Sequence, residues 1–316
     1  MGDVPRFSPL GQCWVCGGDR LVRVHEAIFD HSAFRDQDPE LAAYTGQRVA
    51  LMRCARCGFG QPAALPVLPQ YFARMYDQRW SGDWMAQEFA SDYKDLIFRT
   101  VLGALARRLP PGRRTLLDVG AHVGRLIRLA LAEGWDAEGI ELNPQTSAFA
   151  RRATGRPVHQ LDAHDLAERG RRFDAATLID VLEHIPDPVP VVAGIARVLA
   201  PGGWVAVKVP HGPAQLRKEV LRARLVRGYR ATVADNLVHV NHFTPRSLRL
   251  ALERAGFTDV RVTVAAPELV PHGHGGTLRR LLMNGARRSF YTTTRALPGG
   301  VHTPLALHLQ AYARIP

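Results

Sequence analysis

Lysine is nearly absent from this 316-residue chain. Only Lys94, Lys208 and Lys218 occur among 41 basic residues, so the formal charge of +12 is carried almost wholly by arginine. That bias reads either as codon usage or as affinity for an acidic partner, such as a sugar nucleotide, a phosphorylated lipid carrier or a nucleic acid. No basic array interleaved with stacking aromatics is present, which argues against an RNA-binding module. No run of about 18 apolar residues exists, so no transmembrane helix is expected. The opening residues, MGDVPRFSPLGQCW, lack a basic start followed by an apolar stretch. They do not read as a secretory signal, and a cytoplasmic location is expected. An apolar content of 46% suits a globular chain with room for one large or two unequal domains.

Cysteine is also scarce, but its arrangement is informative. The four cysteines form two pairs, Cys13-x2-Cys16 and Cys54-x2-Cys57, with Gly17 and Gly58 directly after the second member of each. A Cys-x2-Cys turn brings two thiolates within reach of one ion, and two such turns supply four sulfurs for a tetrahedral Zn²⁺. Four sulfurs leave no open position, so the metal expected here is structural. The 37 residues between the pairs must loop out or form strands of their own. Disulfides are not expected in a cytosolic chain.

The chain is organised around residues 115–143, TLLDVGAHVGRLIRLALAEGWDAEGIELN. The pattern predicts a strand ending at Val119, a turn containing Gly120 and Gly124, a helix, and a second strand ending at Glu141. A Gly after the first strand lets the backbone turn without a Cβ and approach a ligand. The helix that follows points free N–H groups at the same spot. A carboxylate about 20 residues on can accept hydrogen bonds from ribose hydroxyls. Strand and helix patterns then alternate to residue 209, which predicts an α/β fold with a mostly parallel, doubly wound sheet.

Several short stretches together carry a family resemblance. Asp118-Val119-Gly120 with Gly124, Gly139-Ile140-Glu141, Phe173-Asp174, residues 180–188 (DVLEHIPDP), 198–203 (VLAPGG) and 252–257 (LERAGF) occur in a telling order. It is the order seen in class I S-adenosylmethionine-dependent methyltransferases, which the chain resembles over roughly residues 115–260. The cysteine pairs resemble the zinc-binding domain of a subset of these enzymes, including sugar C-methyltransferases of antibiotic biosynthesis. The resemblance implies a Rossmann-like, seven-stranded methyltransferase sheet. It implies a zinc-binding domain at 1–69, an aromatic-rich helical linker at 70–112, and a methyltransferase domain at 113–316 with insertions at 211–238 and 268–304. S-adenosyl-L-methionine would be the cofactor. Asp118, Gly120, Ala121 and Gly124 would lie at its methionine end, and Glu141 would hold the ribose hydroxyls. Leu142 would pack on the adenine, Asp162 and the Ala163 backbone would meet its amino group, and Asp180 would sit at the edge of the fourth strand. His122 departs from the family pattern, which has Gly at that point of the loop.

The acceptor implied is a small molecule, most of all a sugar, a nucleotide sugar or a glycosylated natural product, and a phosphate-bearing acceptor would suit the basic charge. His239 and His242, just before a helix capped by Thr244 and Pro245, are candidate general bases. His184 is a third. The choice between C- and O-methylation stays open at the level of sequence. So do two other classes, an RNA methyltransferase and a non-catalytic cofactor-binding or interaction protein, and so does the oligomeric state. A basic helix is expected over 216–230 with Leu216, Val220 and Leu225 facing inward, and another over 277–297. Residues 31–45 read as a polar loop, and 88–108 as one helix.

Overall fold

In a computed structural model, residues 5–76, 81–161, 163–168, 170–227, 239–272, 276–303 and 305–316 are described. The chain divides into two compact units. The first comprises Met1–Gln78, Glu183–Pro188 and Pro210–Ala251, and the second comprises Arg79–Leu182, Val189–Val209 and Leu252–Pro316.

In the first unit, β1 (Phe7–Pro9) pairs antiparallel with a later strand, and β2 (Leu21–Ile28), β3 (Arg48–Cys54) and β4 (Gly60–Pro62) make an antiparallel sheet. The partner of β1 is β5 (Ala64–Pro66). The segment expected to be a polar loop instead folds onto a core. It holds a 3-10 turn, Ser32–Phe34, and a short helix, Pro39–Ala42, capped by Asp38. Leu41 and Tyr44 are buried with Ala27, Phe29, Val49, Tyr71 and Met75. His31 donates to or accepts from the Tyr71 hydroxyl at 2.9 Å. Isolated apolar residues among polar ones hid this core from a periodicity reading, which needs a regular repeat.

The cysteine end of this unit is joined to its later segments. Gly60 and His242 exchange backbone hydrogen bonds at 2.9 Å each. Thr244 Oγ1 donates to the carbonyl of Cys57 at 3.2 Å, and Phe59 and Phe243 pack with ring centroids 5.1 Å apart. The helix Pro245–Arg254 begins as expected, with Ser247 N donating to Thr244 Oγ1 at 3.1 Å. The helix Gly212–Leu225 turns a different face inward from the expected one. Leu225 is 74% exposed and Val220 is exposed, whereas Glu219 is buried and Leu216 half-buried. Gln215 on that inner side reaches a histidine, so polar bonding rather than apolar burial orients the helix. Residues 228–238 of the expected basic insertion lie outside the described residues.

The second unit is built on a seven-stranded sheet. Its strands are β6 (Thr115–Val119), β7 (Asp136–Ile140), β8 (Val158–His159), β9 (Phe173–Ile179), β10 (Leu199–Pro210), β11 (Thr258–Val264) and β12 (His308–Arg314). Their order is β11-β12-β10-β9-β6-β7-β8. β10, β9, β6, β7 and β8 run parallel, and β12 is antiparallel to β11. The parallel strands bear out the doubly wound sheet expected from the alternation of elements, and the seven-stranded, Rossmann-like arrangement is the one the resemblance implies. Central strands read Leu-Leu and Ala-Ala-Thr-Leu-Ile because both faces are covered. Leu116, Ala137 and Ala175 are fully buried in one core with Ile127 and Leu102. The expected helix at 88–108 is two helices, Gly82–Ala90 and Asp95–Ala106, separated where Ser91 is extended. Among the described residues, no helix is long and apolar enough to cross a membrane.

Candidate cofactor, cysteine and histidine sites

At the end of β6, Gly120 has φ +75° and Gly124, the N-cap of the helix Arg125–Ala132, has φ +84°. A Cβ at Gly120 would lie 2.4 Å from a Val181 methyl, and one at Gly124 would lie 2.9 Å from Thr154. Both positions therefore need glycine for conformation and for space. The amides of Gly120 and Ala121 donate to the Ile140 carbonyl at 2.8 and 2.9 Å, which ties the turn to the end of β7. There Glu141 accepts from the His122 amide at 2.8 Å and from the Asn143 amide at 2.9 Å. Each carboxylate oxygen is thus aimed by one backbone N–H, and lone pairs remain for a diol.

His122 occupies the left-handed region at φ +50°. Its ring rests edge-on against Trp84 with centroids 5.4 Å apart, and burial holds its pKa below the usual histidine value. Leu142 is 69% exposed beside Glu141, an apolar side chain in the open at the edge of the sheet. Asp118 is buried and accepts from the Thr177 hydroxyl at 2.8 Å. Burial pushes its pKa up to about 7. Asp162 lies outside the described residues, and Ala163 opens the short helix Ala163–Glu168.

Asp180 carries a feature that the sequence reading missed. Its backbone is left-handed, at φ +57°, and its two carboxylate oxygens accept from Lys94, at 3.0 Å, and from Lys208. Burial alone would raise its pKa, but the two ammonium groups more than offset that and hold the carboxyl far below the usual range. Lys94 is raised by the same pairing against its own burial, and its nitrogen lies 3.9 Å from Glu268. Lys208 is only 1% exposed. The signal was present: two of three lysines in the chain fall here, and Lys208 interrupts a run of valines in WVAVKVP.

In the first unit the four cysteines converge. Cys13 and Cys57 sulfurs are 3.6 Å apart, and those of Cys16 and Cys54 are 3.5 Å apart. All four are unbridged and lie within 4.8 Å of one another. Two equivalent turns shape the cluster, with Gly17 N donating to Cys13 O at 2.8 Å and Gly58 N donating to Cys54 O at 2.9 Å. Crowding splits the thiols. The hydrogen bond from Cys57 lowers Cys13 to about 5, and Cys57 itself moves well above its ordinary value. Sulfurs about 2.3 Å from a tetrahedral ion sit roughly 3.8 Å apart, so the donor set fits a Zn²⁺.

A second cluster in the same unit joins Glu183, His184 and His239, whose ligand atoms lie within 4.8 Å of one another. Glu183 is buried, and the two imidazoles meet edge-to-face with centroids 4.8 Å apart. Gln215 holds Nδ1 of His239 at 2.8 Å. The segment is pinned to residues 183–185 by Asn241, whose amide donates to Glu183 O at 3.0 Å and whose side chain donates to Ile185 O at 2.6 Å. His242 lies apart from this pair. It is buried, and a Cβ at Gly60 would come 2.9 Å from its own. The group of Glu183, His184 and His239 can chemically pass a proton or ligate a cation. Sequence singled out the two histidines. It carries Glu183 only as a member of the 180–188 motif, with no role, and gives no sign of Gln215, which the helix Gly212–Leu225 brings in.

The sequence profile of the methyltransferase-domain family matches residues 89–262. The chain belongs to the methyltransferase family. The ubiquinone biosynthesis O-methyltransferase of Thiobacillus denitrificans is 36% identical over 104 residues, covering 31% of this chain and 45% of that relative. That of Methylococcus capsulatus is 38% identical over 98 residues, covering 29% and 41%. This methyltransferase therefore spans less than half the length of the curated relatives it matches. A chain from the complex between the Haloferax volcanii Trm112 methyltransferase activator and a methyltransferase superposes with a TM-score of 0.50 at 18% identity, covering 74% of this chain and 96% of that one. That likeness is of fold.

Proposed function

We propose that the chain transfers a methyl group from S-adenosyl-L-methionine to a hydroxyl of a small-molecule acceptor. The observation that carries this reading is the Glu141 carboxylate, clamped by the His122 and Asn143 amides beside the glycine turn. A turn in which a Cβ would collide with Val181, next to an aimed carboxylate and an exposed Leu142, fits a nucleoside with its diol on Glu141 and its base on Leu142. Asp118, Gly120, Ala121 and Gly124 would face the amino-acid end, and Asp162, the Ala163 backbone and Asp180 complete the assignment. The bound cofactor supplies a methyl already activated on sulfonium. The protein's task is then alignment and removal of the acceptor proton.

His184 and His239 suit that second task. Gln215 engages Nδ1 of His239, and with the amide oxygen accepting from Nδ1–H, Nε2 carries the lone pair that takes the acceptor proton. Glu183 beside the imidazoles stabilises the positive charge that forms. His242 braces the loop. Oxygen as the acceptor atom is supported by the names of the relatives, which are O-methyltransferases. A sugar, a nucleotide sugar or a glycosylated intermediate remains the acceptor class favoured by the cysteine module. The four cysteines hold a structural Zn²⁺.

A methyl-transfer screen with labelled cofactor over nucleotide sugars, glycosylated intermediates and phenols tests the reading. Label is expected on the oxygen of one class. Failure of S-adenosylmethionine to bind in calorimetry would overturn it.

A further inference from the structure

The helix Thr277–Ala296 is built inside out. Its inner side is largely polar. Asn284 accepts from Val270 N at 2.7 Å and donates to Val270 O at 3.1 Å, Arg287 donates to Glu268 O at 2.9 Å, and Thr294 is buried. Tyr291 adds a partly buried ring against the core. Leucines point the other way. Leu278, Leu281 and Leu282 are 71%, 60% and 66% exposed. Their spacing of three and four residues puts them on one face with Gly285, where a helix normally carries its polar side chains. Adjacent exposed apolar side chains of this size call for a partner.

The surrounding charge says which. The helix carries Arg279, Arg280, Arg287, Arg288 and Arg295 and no acidic residue, and no Asp or Glu follows Glu268 in the chain. By helical position, Arg279 and Arg288 flank the leucine face on opposite sides. A second copy docked face to face would bring Arg279 and Arg288 of both helices together with no carboxylate on either helix. A nucleic acid would satisfy the arginines and leave the leucines in water. An anionic bilayer answers both at once, because acyl chains accept leucines while phosphates meet the flanking guanidiniums.

We propose that the helix Thr277–Ala296 is a docking surface for an anionic lipid bilayer, lying in the interface with Leu278, Leu281 and Leu282 inserted. This goes beyond the methyltransferase reading and does not depend on it.

The test is co-sedimentation of the full chain with vesicles of phosphatidylglycerol and phosphatidylcholine, against phosphatidylcholine alone. Binding is expected to the anionic vesicles, weakening with salt. The triple variant Leu278→Ser, Leu281→Ser, Leu282→Ser is expected to bind at least about tenfold more weakly. Arg279→Ala with Arg288→Ala is expected to lose about fivefold per arginine. These side chains are exposed, so the melting temperature and S-adenosylmethionine binding of the variants should match the wild type and show that folding is intact. No binding of the wild type to anionic vesicles at low salt overturns the proposal. So does undiminished binding of the triple leucine variant, which would mean plain charge attraction. A dimer in light scattering that the leucine variant abolishes overturns it too, by naming a second copy as the occupant.

Discussion

The proposed cofactor edge and the histidine cluster are built from different materials. The cofactor edge is mostly main chain: one turn with two glycines, two amides on Ile140, and two amides on Glu141, all within residues 118–143. The histidine cluster is mostly side chain. Glu183 and His184 come from one segment and Gln215 and His239 from another, and the cysteine turn at 54–60 holds the latter through Gly60 on His242 and Cys57 on Thr244. A site made of backbone is encoded locally and withstands changes elsewhere. A site made of converging side chains depends on whatever holds the segments together.

The sharpest way to break that contrast is to remove the cysteine cluster. Cys57→Ser is expected to lose bound zinc and to unlock residues 239–244, because structural zinc contributes on the order of 10 kcal/mol to a small module. Hydrogen exchange read peptide by peptide should show lost protection there and in β2–β4, with β6, β7 and β9 unchanged. Retained protection at 239–244 would separate the two clusters. Next in size, Gly120→Ala places a Cβ against Val181 at a left-handed position. Strain and overpacking together cost about 2–5 kcal/mol, and calorimetry should detect no cofactor binding.

Asp118 gives a pH signature confined to the cofactor edge. Its folded pKa is up near 7 because it is buried, whereas the unfolded value is about 3.9. The folded chain then holds a proton that the unfolded chain releases, so stability falls as pH rises from about 4 to about 7. Asp118→Asn should remove up to about 4 kcal/mol of that slope, visible in denaturant melts at several pH values. A slope left intact would place the titration elsewhere. The smallest effect expected is from Glu141→Ala, which deletes charge-assisted hydrogen bonds to the ribose. Cofactor affinity should drop by about tenfold to a hundredfold in calorimetry, and the melting temperature should fall slightly because the His122 and Asn143 amides lose their acceptor.

The same contrast explains what could be read without coordinates. Gly120, Gly124 and Glu141 sit within 22 residues and announce a strand, a turn and a strand end by residue type alone. The two cysteine pairs do likewise. Lys94 and Lys208 lie on separate elements, and their meeting at Asp180 depends on strand order and on the helix break at Ser91. Gln215 lies just before the basic helix expected over 216–230, whose Leu216, Val220 and Leu225 were expected to face inward. Only the pull of polar partners on that helix reversed its orientation, and hydrophobic patterning does not register such partners. Residues 31–45 were misread for a related reason: Leu41 and Tyr44 lack a repeat, yet both are buried. The likeness to methyltransferases supplied the seven-stranded sheet, and its motif at 180–188 contains Glu183 without giving that residue a role beside the histidines.

Division of labour between the two sites is the central claim, and paired measurements on His239→Ala test it most directly. Cofactor affinity by calorimetry should stay within about threefold of the wild type, while turnover of the acceptor found in the screen falls by about 10²–10⁴-fold. Full turnover in that variant, or a loss of cofactor binding as large as the loss of turnover, would contradict the account.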